Sequence, residues 1–453
     1  MQPLSKEFEE QMKRLLGEAG FFAYLDALNQ PYTRALRVNL LLRPDGTPPC
    51  PIEGLGAPVP WAKGSYFVEG DVRPGLSPLH EGGLFYMQEP SALTAVTALD
   101  PQPGERVLDL CAAPGGKSTQ IAALMAGRGL LCCNEPIPSR AQILSRNIER
   151  MGVRNAVVLS AMPDALAPRF PAFFDRILVD APCSGEGMFR RQPEARDEWN
   201  ADAPRRCADR QMEILAQAAK MLRPGGTMVY STCTFNDTEN EGVLKRFLAL
   251  HPEFSLVPFA LPGLPEAKDG YLHLYPHEMR GEGHFVSRLK KADGADEADA
   301  PVQAAPQRKA PARAAAKGKA PAPIALPDVF SDAFAPERLY TAGDALWMLP
   351  EGISIERLSG LRVLRTGLLL AHAEGKRSEP DHALAMALRP EEAARTASLT
   401  QTQALAYQAG ETLSLGDLPG GYTLLCCEGV SLGWGKQAGG LMKNHYPKGL
   451  RRR

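Results

Sequence analysis

Two cysteines follow two predicted strands of the chain, at the point where each strand ends. Cys183 lies in the turn DAPCSG after the strand 175–180, and Cys233 lies in YSTCT after the strand 227–231. A single buried cysteine is more often a packing residue than a nucleophile. Two thiols in polar turns at the carboxyl ends of neighbouring strands indicate chemistry, because ligands collect at that edge of such sheets. Asp180 adds a carboxylate at the same edge.

A loop of small residues precedes these turns. The segment Arg106 to Ser118, RVLDLCAAPGGKS, begins as a short buried strand and becomes a helix near its end. The small side chains allow the backbone to approach a ligand, and the first N–H groups of the helix point into the same space. Glu135 lies twenty residues beyond Gly115 at the end of the next strand. An acidic residue at this spacing contacts a ribose in nucleotide-binding βαβ units.

This loop also leaves a second interpretation open. Its sequence is APGG rather than G-x-G-x-x-G, and many Gly-rich turns between a strand and a helix are only turns. The P-loop pattern G-x-x-x-x-G-K-[ST] fails, because Cys111 stands where the first glycine belongs. Hydrolysis of a nucleoside triphosphate is therefore the weaker alternative.

Strand and helix patterns alternate along residues 101–290 and predict one doubly wound, parallel α/β sheet. The predicted strands are 106–110, 130–134, 156–160, 175–180 and 227–231, and the predicted helices are 117–126, 138–151 and 205–222. Pro138 in a first turn and Gly152 just past a last turn are typical helix boundaries. This fold places a ligand at the carboxyl ends of the strands.

The flanking segments differ in composition. Residues 1–100 mix helical and extended patterns and predict a small α+β domain. Residues 291–325 are rich in Ala, Pro, Lys and Arg, which predicts a disordered linker. Residues 326–395 contain enough large apolar side chains for a small domain, whereas 396–453 form short strands and turns with a basic tail. From Lys436 onward there are six Lys or Arg and no acidic residue, which favours a polyanion contact.

Composition excludes several classes of protein. A chain of 453 residues is too long for one core, and two to four domains are expected. No apolar run reaches the ~18 residues of a membrane span, and the N-terminal residues lack the apolar core of a signal peptide. Nine cysteines without a C-x-x-C pair predict neither a metal site nor a disulfide framework. We expect a cytoplasmic monomer, and its net charge of −1 restricts nucleic-acid contacts to local patches.

Several motifs taken together resemble one enzyme family. DLCAAPGGKS, Glu135, LVDAPCSGEGMF, RPGG and YSTCT resemble the S-adenosylmethionine-dependent RNA (cytosine-5) methyltransferases of the bacterial rRNA and eukaryotic NOL1/NOP2/Sun group. The resemblance covers residues 30–290, and GWGKQAGGLMKNHYPKGLR resembles the C-terminal segment of RsmF-type small-subunit rRNA enzymes. It implies a class I, Rossmann-like fold with a mixed, mostly parallel sheet. It also implies an N-terminal RNA-binding α+β domain, a small C-terminal α+β domain and a PUA-like β domain.

The resemblance implies a role for each matched residue. Cys233 takes the place of the nucleophile, and Cys183 takes that of the cysteine that assists product release. Lys117 and Asp180 complete the catalytic set, with Asp180 near both the cofactor and the target base. The implied cofactor-binding residues are Cys111, Ala112, Ala113, Pro114, Gly115, Gly116, Lys117, Glu135, Arg140, Asp164 and Asp180. The candidate RNA contacts are Arg37, Asn39, Gln88, Lys436, Lys443 and Tyr446.

One position departs from the family pattern. The family usually has an acidic residue after the third strand, near the adenine of the cofactor. Met162 falls on that position here, and Asp164 lies two residues later. Either Asp164 or the backbone alone would then hold the adenine.

The implied chemistry is consistent with these residue types. C5 of cytosine is a poor nucleophile, but a thiolate that adds at C6 turns C5 into an enamine carbon able to attack a methyl sulfonium. Cys233 needs help to ionise, and Lys117 is the nearest cation by motif. The base must be unpaired or flipped out. A tRNA methyltransferase and a non-catalytic RNA-binding assembly factor remain as alternatives to methylation of small-subunit rRNA.

Overall fold

The computed structural model describes residues 4–294, 324, 328–329, 336–374 and 377–451. Most of the predicted linker, residues 295–323, lies outside these described residues. The described part of the chain contains four β-sheets: a large central sheet and three sheets of four strands. The central sheet carries the residues of chemical interest.

The N-terminal segment forms a long helix and a small antiparallel sheet. Its elements are α1 (Lys6–Asn29), β1 (Arg34–Val38), β2 (Leu55–Pro58), β3 (Ser65–Val68), α2 (Pro78–Glu81) and β4 (Phe85–Gln88), with sheet order β2-β3-β1-β4. Ser5 begins α1 by accepting a hydrogen bond from the N–H of Phe8 at 3.2 Å. Helix α1 buries Phe8 and Met12, and Tyr24 and Leu28 further along the helix.

The central sheet is built from alternating strands and helices. Its first elements are α3 (Thr94–Leu99), β5 (Arg106–Asp109), α4 (Gly116–Leu124), β6 (Leu130–Asn134), α5 (Pro138–Arg150), β7 (Ala156–Leu159), α6 (Pro163–Leu166) and β8 (Phe174–Asp180). The chain continues through α7 (Pro193–Glu198), α8 (Ala203–Met221), β9 (Leu222–Thr232), α9 (Glu241–Leu250), β10 (Phe254–Leu256), β11 (Tyr271–Leu274) and β12 (His284–Lys291). Strands β5 to β9 pair in parallel, and β12 pairs antiparallel with β9. The predicted mixed, mostly parallel sheet is confirmed.

The C-terminal segment adds two smaller sheets. Its elements are β13 (Leu339–Ala342), β14 (Ala345–Met348), α10 (Ile355–Leu358), β15 (Val363–Arg365), β16 (Leu368–Glu374), β17 (Arg377–Pro380), α11 (His382–Ala387), β18 (Thr396–Ser398), α12 (Gln401–Ala409), β19 (Gly421–Cys427), β20 (Val430–Ala438) and β21 (Leu441–Asn444). The sheet orders are β13-β14-β16-β17 and β18-β19-β20-β21. Strand β15 instead joins the central sheet beside β7, where Val363 pairs with Leu159. The segment predicted as a separate small domain therefore contributes one strand to the central sheet.

Apolar side chains cover both faces of the central sheet. One cluster contains Leu144 and Ile148 of α5, and another contains Leu215 of α8 and Phe247 of α9. Because both faces are buried, the strands are almost continuously apolar, as is usual for parallel sheets. The polar side chains of chemical interest therefore lie at the ends of the strands. The ends of β5, β6, β8 and β9 all lie at one edge.

Candidate active site

A cavity of about 750 Å³ opens at the carboxyl edge of the central sheet. Its wall is formed by Cys111, Ala113, Glu135, Pro136, Ile137, Arg140, Met162, Pro163, Asp164, Asp180, Ala181, Pro182, Cys183, Arg210, Glu213, Ile214, Gln217 and Cys233. A volume of this order accommodates a ligand of nucleotide size. The structure thus brings both cysteines, Asp180, Glu135, Arg140 and Asp164 to one cavity.

The two thiols of the site lie in direct contact. Cys183 Sγ is 3.2 Å from Cys233 Sγ, and both side chains are partly exposed to the cavity. The hydrogen bond to Cys233 and burial hold the pKa of Cys183 well above its usual value. Two thiolates at this distance would repel each other. The geometry therefore places two sulfur atoms side by side at one point of the cavity.

Asp180 and Lys117 form an ion pair at the base of the cavity. Lys117 Nζ donates to Asp180 Oδ2 at 2.7 Å, and Ser231 Oγ donates to Oδ1 of the same carboxylate at 2.8 Å. His284 Nε2 lies 3.5 Å from Asp180 Oδ1. Burial favours the neutral form of Asp180, but Lys117 and His284 outweigh it and lower the pKa of the carboxyl group. Burial likewise opposes the charge of Lys117, yet Asp180 leaves the pKa of Lys117 raised.

The loop before α4 reaches the cavity through only part of its length. Cys111 and Ala113 are on the cavity wall, whereas the other predicted loop residues are not: Ala112, Pro114, Gly115, Gly116 and Lys117. Ala112 is buried, and Gly115 has φ +110°, where an added Cβ would lie 3.2 Å from Cδ1 of Leu144 in α5. A side chain at Gly115 would be strained by its backbone and crowded by that leucine. These residues shape the loop, and Lys117 reaches the site through Asp180.

Glu135 lies on the cavity wall and is held by its neighbours. The side chain is almost fully buried, and its Oε1 accepts from the N–H of Ile137 at 3.0 Å. Arg140 Nη1 lies 3.3 Å from Glu135 Oε2, and Arg140 Nη2 donates to the carbonyl of Ala113 at 3.1 Å. Glu135 and Arg140, both predicted as cofactor-binding residues, therefore form an ion pair that connects the end of β6 to the loop before α4.

Two large apolar side chains of the cavity wall are unusually exposed. Ile137 is 49% exposed and Met162 is 61% exposed, although most apolar side chains in the described part of the chain are buried. Both line the cavity, and Asp164 lies beside them on α6. Apolar surface exposed inside a cavity suits a flat aromatic ligand such as an adenine ring.

Three of the predicted RNA contacts are wrong, because their side chains are buried. Arg37 is 1% exposed and donates to the carbonyl of Gly116 at 3.2 Å and to Thr119 Oγ1 at 2.8 Å. Asn39 is 1% exposed and donates to backbone carbonyls, and Tyr446 is 3% exposed in an apolar cluster. Arg37 and Asn39 connect the N-terminal segment to the central unit, and Tyr446 packs in a cluster shared by the N-terminal and C-terminal segments.

The other predicted RNA contacts are more accessible. Gln88 is half-buried, and its Oε1 accepts from Arg37 Nε at 3.4 Å. Lys436 is half-buried beside Tyr422, with Nζ 4.7 Å from the centre of the ring. Lys443 is exposed. Contact of these three residues with RNA stays a prediction.

Sequence reasoning missed several residues of the cavity. Arg210, Ile214 and Gln217 lie on one face of α8 and line the cavity wall. Their i, i+4, i+7 spacing predicts a shared helix face but does not reveal what that face meets. His284 was missed as well, because β12 follows Asp180 by about a hundred residues and carries no motif.

Neither a membrane-spanning helix nor a metal site is found within the described ranges. No helix there is long and apolar enough to cross a membrane. No group of three or more His, Cys, Asp or Glu side chains in the described part of the chain is arranged to hold a metal ion.

The sheet, its strand-end cavity and its loops define a class I, Rossmann-like methyltransferase fold. A solved structure described as a methyltransferase homologue from Pyrococcus horikoshii is similar, with a TM-score of 0.54 and 30% identity over 63% of this chain and 95% of that one. Family models match four consecutive stretches. They are described as the N-terminal domain of 16S rRNA methyltransferase RsmF (residues 4–90), 16S rRNA methyltransferase RsmB/F (96–290), the RsmF rRNA methyltransferase first C-terminal domain (327–388) and the methyltransferase RsmF PUA domain (394–452).

Full-length relatives agree with these matches. The ribosomal RNA small subunit methyltransferase F of Erwinia tasmaniensis is 34% identical over 98% of this chain and 96% of its own length. The protein of the same name from Escherichia coli O127:H6 is 33% identical over 98% of this chain and 95% of its own length. The chain therefore belongs to the family of ribosomal RNA small subunit methyltransferase F.

Proposed function

We propose that this protein transfers a methyl group from S-adenosylmethionine to C5 of a cytosine in 16S rRNA. The observation that carries the proposal is the 3.2 Å contact between Cys183 Sγ and Cys233 Sγ inside the cavity that also contains Asp180 and Glu135. Two adjacent thiols suit a reaction in which one sulfur adds to a pyrimidine and another handles a proton. Membership of the family of ribosomal RNA small subunit methyltransferase F supports 16S rRNA as the substrate.

Cys233 is the nucleophile in this proposal. Its sulfur follows β9 directly, adds to C6 of the cytosine and makes C5 nucleophilic. Lys117, which donates to Asp180 at 2.7 Å, lies within electrostatic range of Cys233 and places positive charge near the attacking sulfur. After methyl transfer the C5 proton passes to a base, its bonding electrons restore the C5–C6 double bond, and the C6–S bond breaks to release Cys233 as a thiolate. Cys183 assists that step by donating its S–H to the departing sulfur. A high pKa suits Cys183 for carrying a proton rather than for attack.

The residues of the cavity fit S-adenosylmethionine. When bound, this cofactor would supply the electrophilic methyl group. Glu135 has the position to accept hydrogen bonds from ribose hydroxyls, and Ile137 and Met162 offer an apolar slot for the adenine, with Asp164 beside it. Asp180 faces the same cavity next to the thiols, where it can orient the target base.

Alanine variants of the two cysteines test the proposal. Cys233→Ala removes the attacking sulfur, so methyl transfer to small-subunit rRNA should be lost while cofactor binding remains. Cys183→Ala should leave addition intact and trap a covalent complex of enzyme and RNA, visible as a shifted band on a denaturing gel. Labelled cofactor in a filter assay measures transfer, and isothermal titration measures cofactor affinity. Normal turnover by both variants would refute the chemistry.

The matched control for these variants is Cys207→Ala. Cys207 lies on α8, is half-buried and is not part of the cavity wall, so its loss should leave transfer unchanged. Bisulfite sequencing of rRNA and tRNA from a deletion strain separates an rRNA enzyme from a tRNA enzyme. Failure of the wild-type protein to methylate any RNA would favour the non-catalytic assembly factor. Cytoplasmic location and a monomeric state stay predictions.

A further inference from the structure

Two loops carry the thiols, and they also contact each other away from the sulfur atoms. The Cys183 loop comprises residues 181–189, and the Cys233 loop comprises residues 233–240. The N–H of Gly187 donates to the carbonyl of Cys233 at 2.9 Å. Ser184 Oγ and Thr234 Oγ1 lie 2.7 Å apart. The loops are therefore joined by main-chain and side-chain hydrogen bonds.

Glu186 reaches from the Cys183 loop into the Cys233 loop. Its side chain is fully buried, and Oε2 accepts from the N–H groups of Phe235 at 2.8 Å and Asn236 at 3.0 Å. Buried backbone donors need an acceptor, and this carboxylate supplies one for two consecutive residues. The conformation of the Cys233 loop thus depends on a residue of the other loop.

Glu239 makes the same kind of connection in the opposite direction. It is fully buried, and its Oε2 accepts from the N–H of Ser184 at 3.0 Å and from Gln211 Nε2 at 2.8 Å. Asn236 Nδ2 lies between the two carboxylates, 2.8 Å from Glu239 Oε1 and 3.1 Å from Glu186 Oε1. Each loop therefore donates main-chain hydrogen bonds to a glutamate of the other, and one amide connects the two glutamates.

The N-terminal helix α1 contacts both of the loops that carry the thiols. Gln11 Nε2 of α1 donates to Glu186 Oε1 at 2.8 Å. The ring of Tyr24 packs edge-on against Phe235 with centroids 5.8 Å apart. Contacts from α1 thus reach both loops and restrict their relative movement.

We propose that Glu186, Glu239 and Asn236 are positioning residues that fix the relative placement of Cys183 and Cys233 for catalysis. This inference rests on the proposed function, in which both sulfurs must reach one pyrimidine ring. Each loop leaves a rigid strand, but nothing in a single loop determines its distance from the other. Misplacement of a reacting group by about 1 Å can cost on the order of 10²-fold in rate. Reciprocal carboxylate contacts remove that freedom.

The test uses glutamines in place of the two carboxylates. Glu186→Gln and Glu239→Gln preserve side-chain volume but turn one acceptor oxygen into an NH₂ group that faces other donors. The matched control is Glu241→Gln, two residues beyond Glu239, because the Glu241 carboxylate bonds to His273 Nε2 at 2.6 Å rather than to a backbone N–H group of either thiol loop. Thermal unfolding establishes that each variant is folded.

The first readout is disulfide formation by diamide, which does not require activity. Diamide accepts the two thiol hydrogens and is reduced to its hydrazine as the bond between Cys183 and Cys233 forms. The sulfurs must approach from 3.2 Å to about 2.05 Å, so the rate reports their placement. Peptide mass mapping follows the linked product. We expect about tenfold slower closure in both glutamine variants and an unchanged rate in the control.

The second readout is turnover on rRNA. We expect kcat to fall by about 10²-fold in the two variants, with cofactor affinity and KM for RNA unchanged, because placement affects the chemical step. Wild-type closure and wild-type kcat in both variants would overturn the inference. If a wild-type enzyme methylates no RNA but the closure rates differ as expected, the proposed function fails and the positioning role of the glutamates is supported.

A second kind of variant covers the case in which a glutamine variant does not fold. A Cβ at Gly187 would lie 3.0 Å from the carbonyl oxygen of Cys233 and 3.0 Å from that of Gly283, closer than side chains normally pack. Gly187→Ala should therefore push the loops apart and slow disulfide closure. Closure at the wild-type rate in folded Gly187→Ala would also overturn the inference.

Discussion

Replacing Asp180 by asparagine should destabilise the protein far more than removing an exposed ion pair. Asp180→Asn keeps the shape of the side chain but leaves the Lys117 ammonium, 12% exposed, without its counter-charge. Loss of one partner of a fully buried pair costs about 3–5 kcal/mol. Because Asp180 is 28% exposed, we expect a smaller loss, about 2–3 kcal/mol in the free energy of unfolding.

The matched control is Asp209→Asn. Asp209 Oδ1 lies 3.0 Å from Arg246 Nη2, with side chains 59% and 52% exposed. Water screens such a pair, and its loss should cost no more than about 0.5 kcal/mol. Urea-induced unfolding at neutral pH measures both variants beside the wild type. Equal losses for the two substitutions would refute the assignment of a buried ion pair.

Asp180→Asn should also change how the free energy of unfolding depends on pH, in a direction set by the pKa shift of Asp180. The pKa of Asp180 is lowered in the folded state. The contribution of Asp180 to the free energy of unfolding is therefore complete above the pKa of an unfolded-state aspartate, about 3.9, and is lost as the pH falls below that value. The difference between wild type and Asp180→Asn should therefore be constant near neutrality and should narrow below about pH 4. The pKa of Lys117 is raised in the folded state. The contribution of Lys117 to the free energy of unfolding is therefore lost only as the pH rises above the pKa of an unfolded-state lysine, about 10.4. An undiminished difference at acid pH would contradict this account.

Two further predictions concern other residues of the chain. Glu135→Gln removes the carboxylate expected to accept hydrogen bonds from ribose hydroxyls. Cofactor affinity measured by isothermal titration should therefore fall by about 10- to 100-fold, with RNA affinity unchanged. An unchanged cofactor affinity would exclude the ribose contact. Arg37→Met leaves the carbonyl of Gly116 and the hydroxyl of Thr119 without their buried donor, so the urea midpoint should fall. The salt dependence of RNA binding should stay the same, whereas loss of a phosphate contact would reduce its slope by about one.

Several features of the site could be predicted from the sequence because their signals are local. Cys183, Cys233 and Asp180 follow apolar strands directly, and parallel strands place their carboxyl ends at one edge. The loop before α4 was located by its small residues, and Glu135 by its spacing. Local patterns of this kind fix the backbone path at a strand end. They therefore predict which residues meet.

Burial and distant partners could not be predicted in this way. Arg37 lies in a short basic segment that favours an RNA contact, but β1 packs against the central unit, where the guanidinium is enclosed by backbone carbonyls. Strand β15 joins the central sheet more than two hundred residues after its neighbour β7. Such pairings depend on packing between segments that carry no shared local pattern.

The sequence by itself therefore determined the chemistry available at the strand ends and the sheet that collects it. Only the tertiary structure decided that Cys183 and Cys233 lie 3.2 Å apart and that Glu186 and Glu239 hold their loops together. The physical reason is that strand and turn signals act over a few neighbouring residues. Separations between loops depend instead on hydrogen bonds between residues that lie about fifty positions apart in the chain.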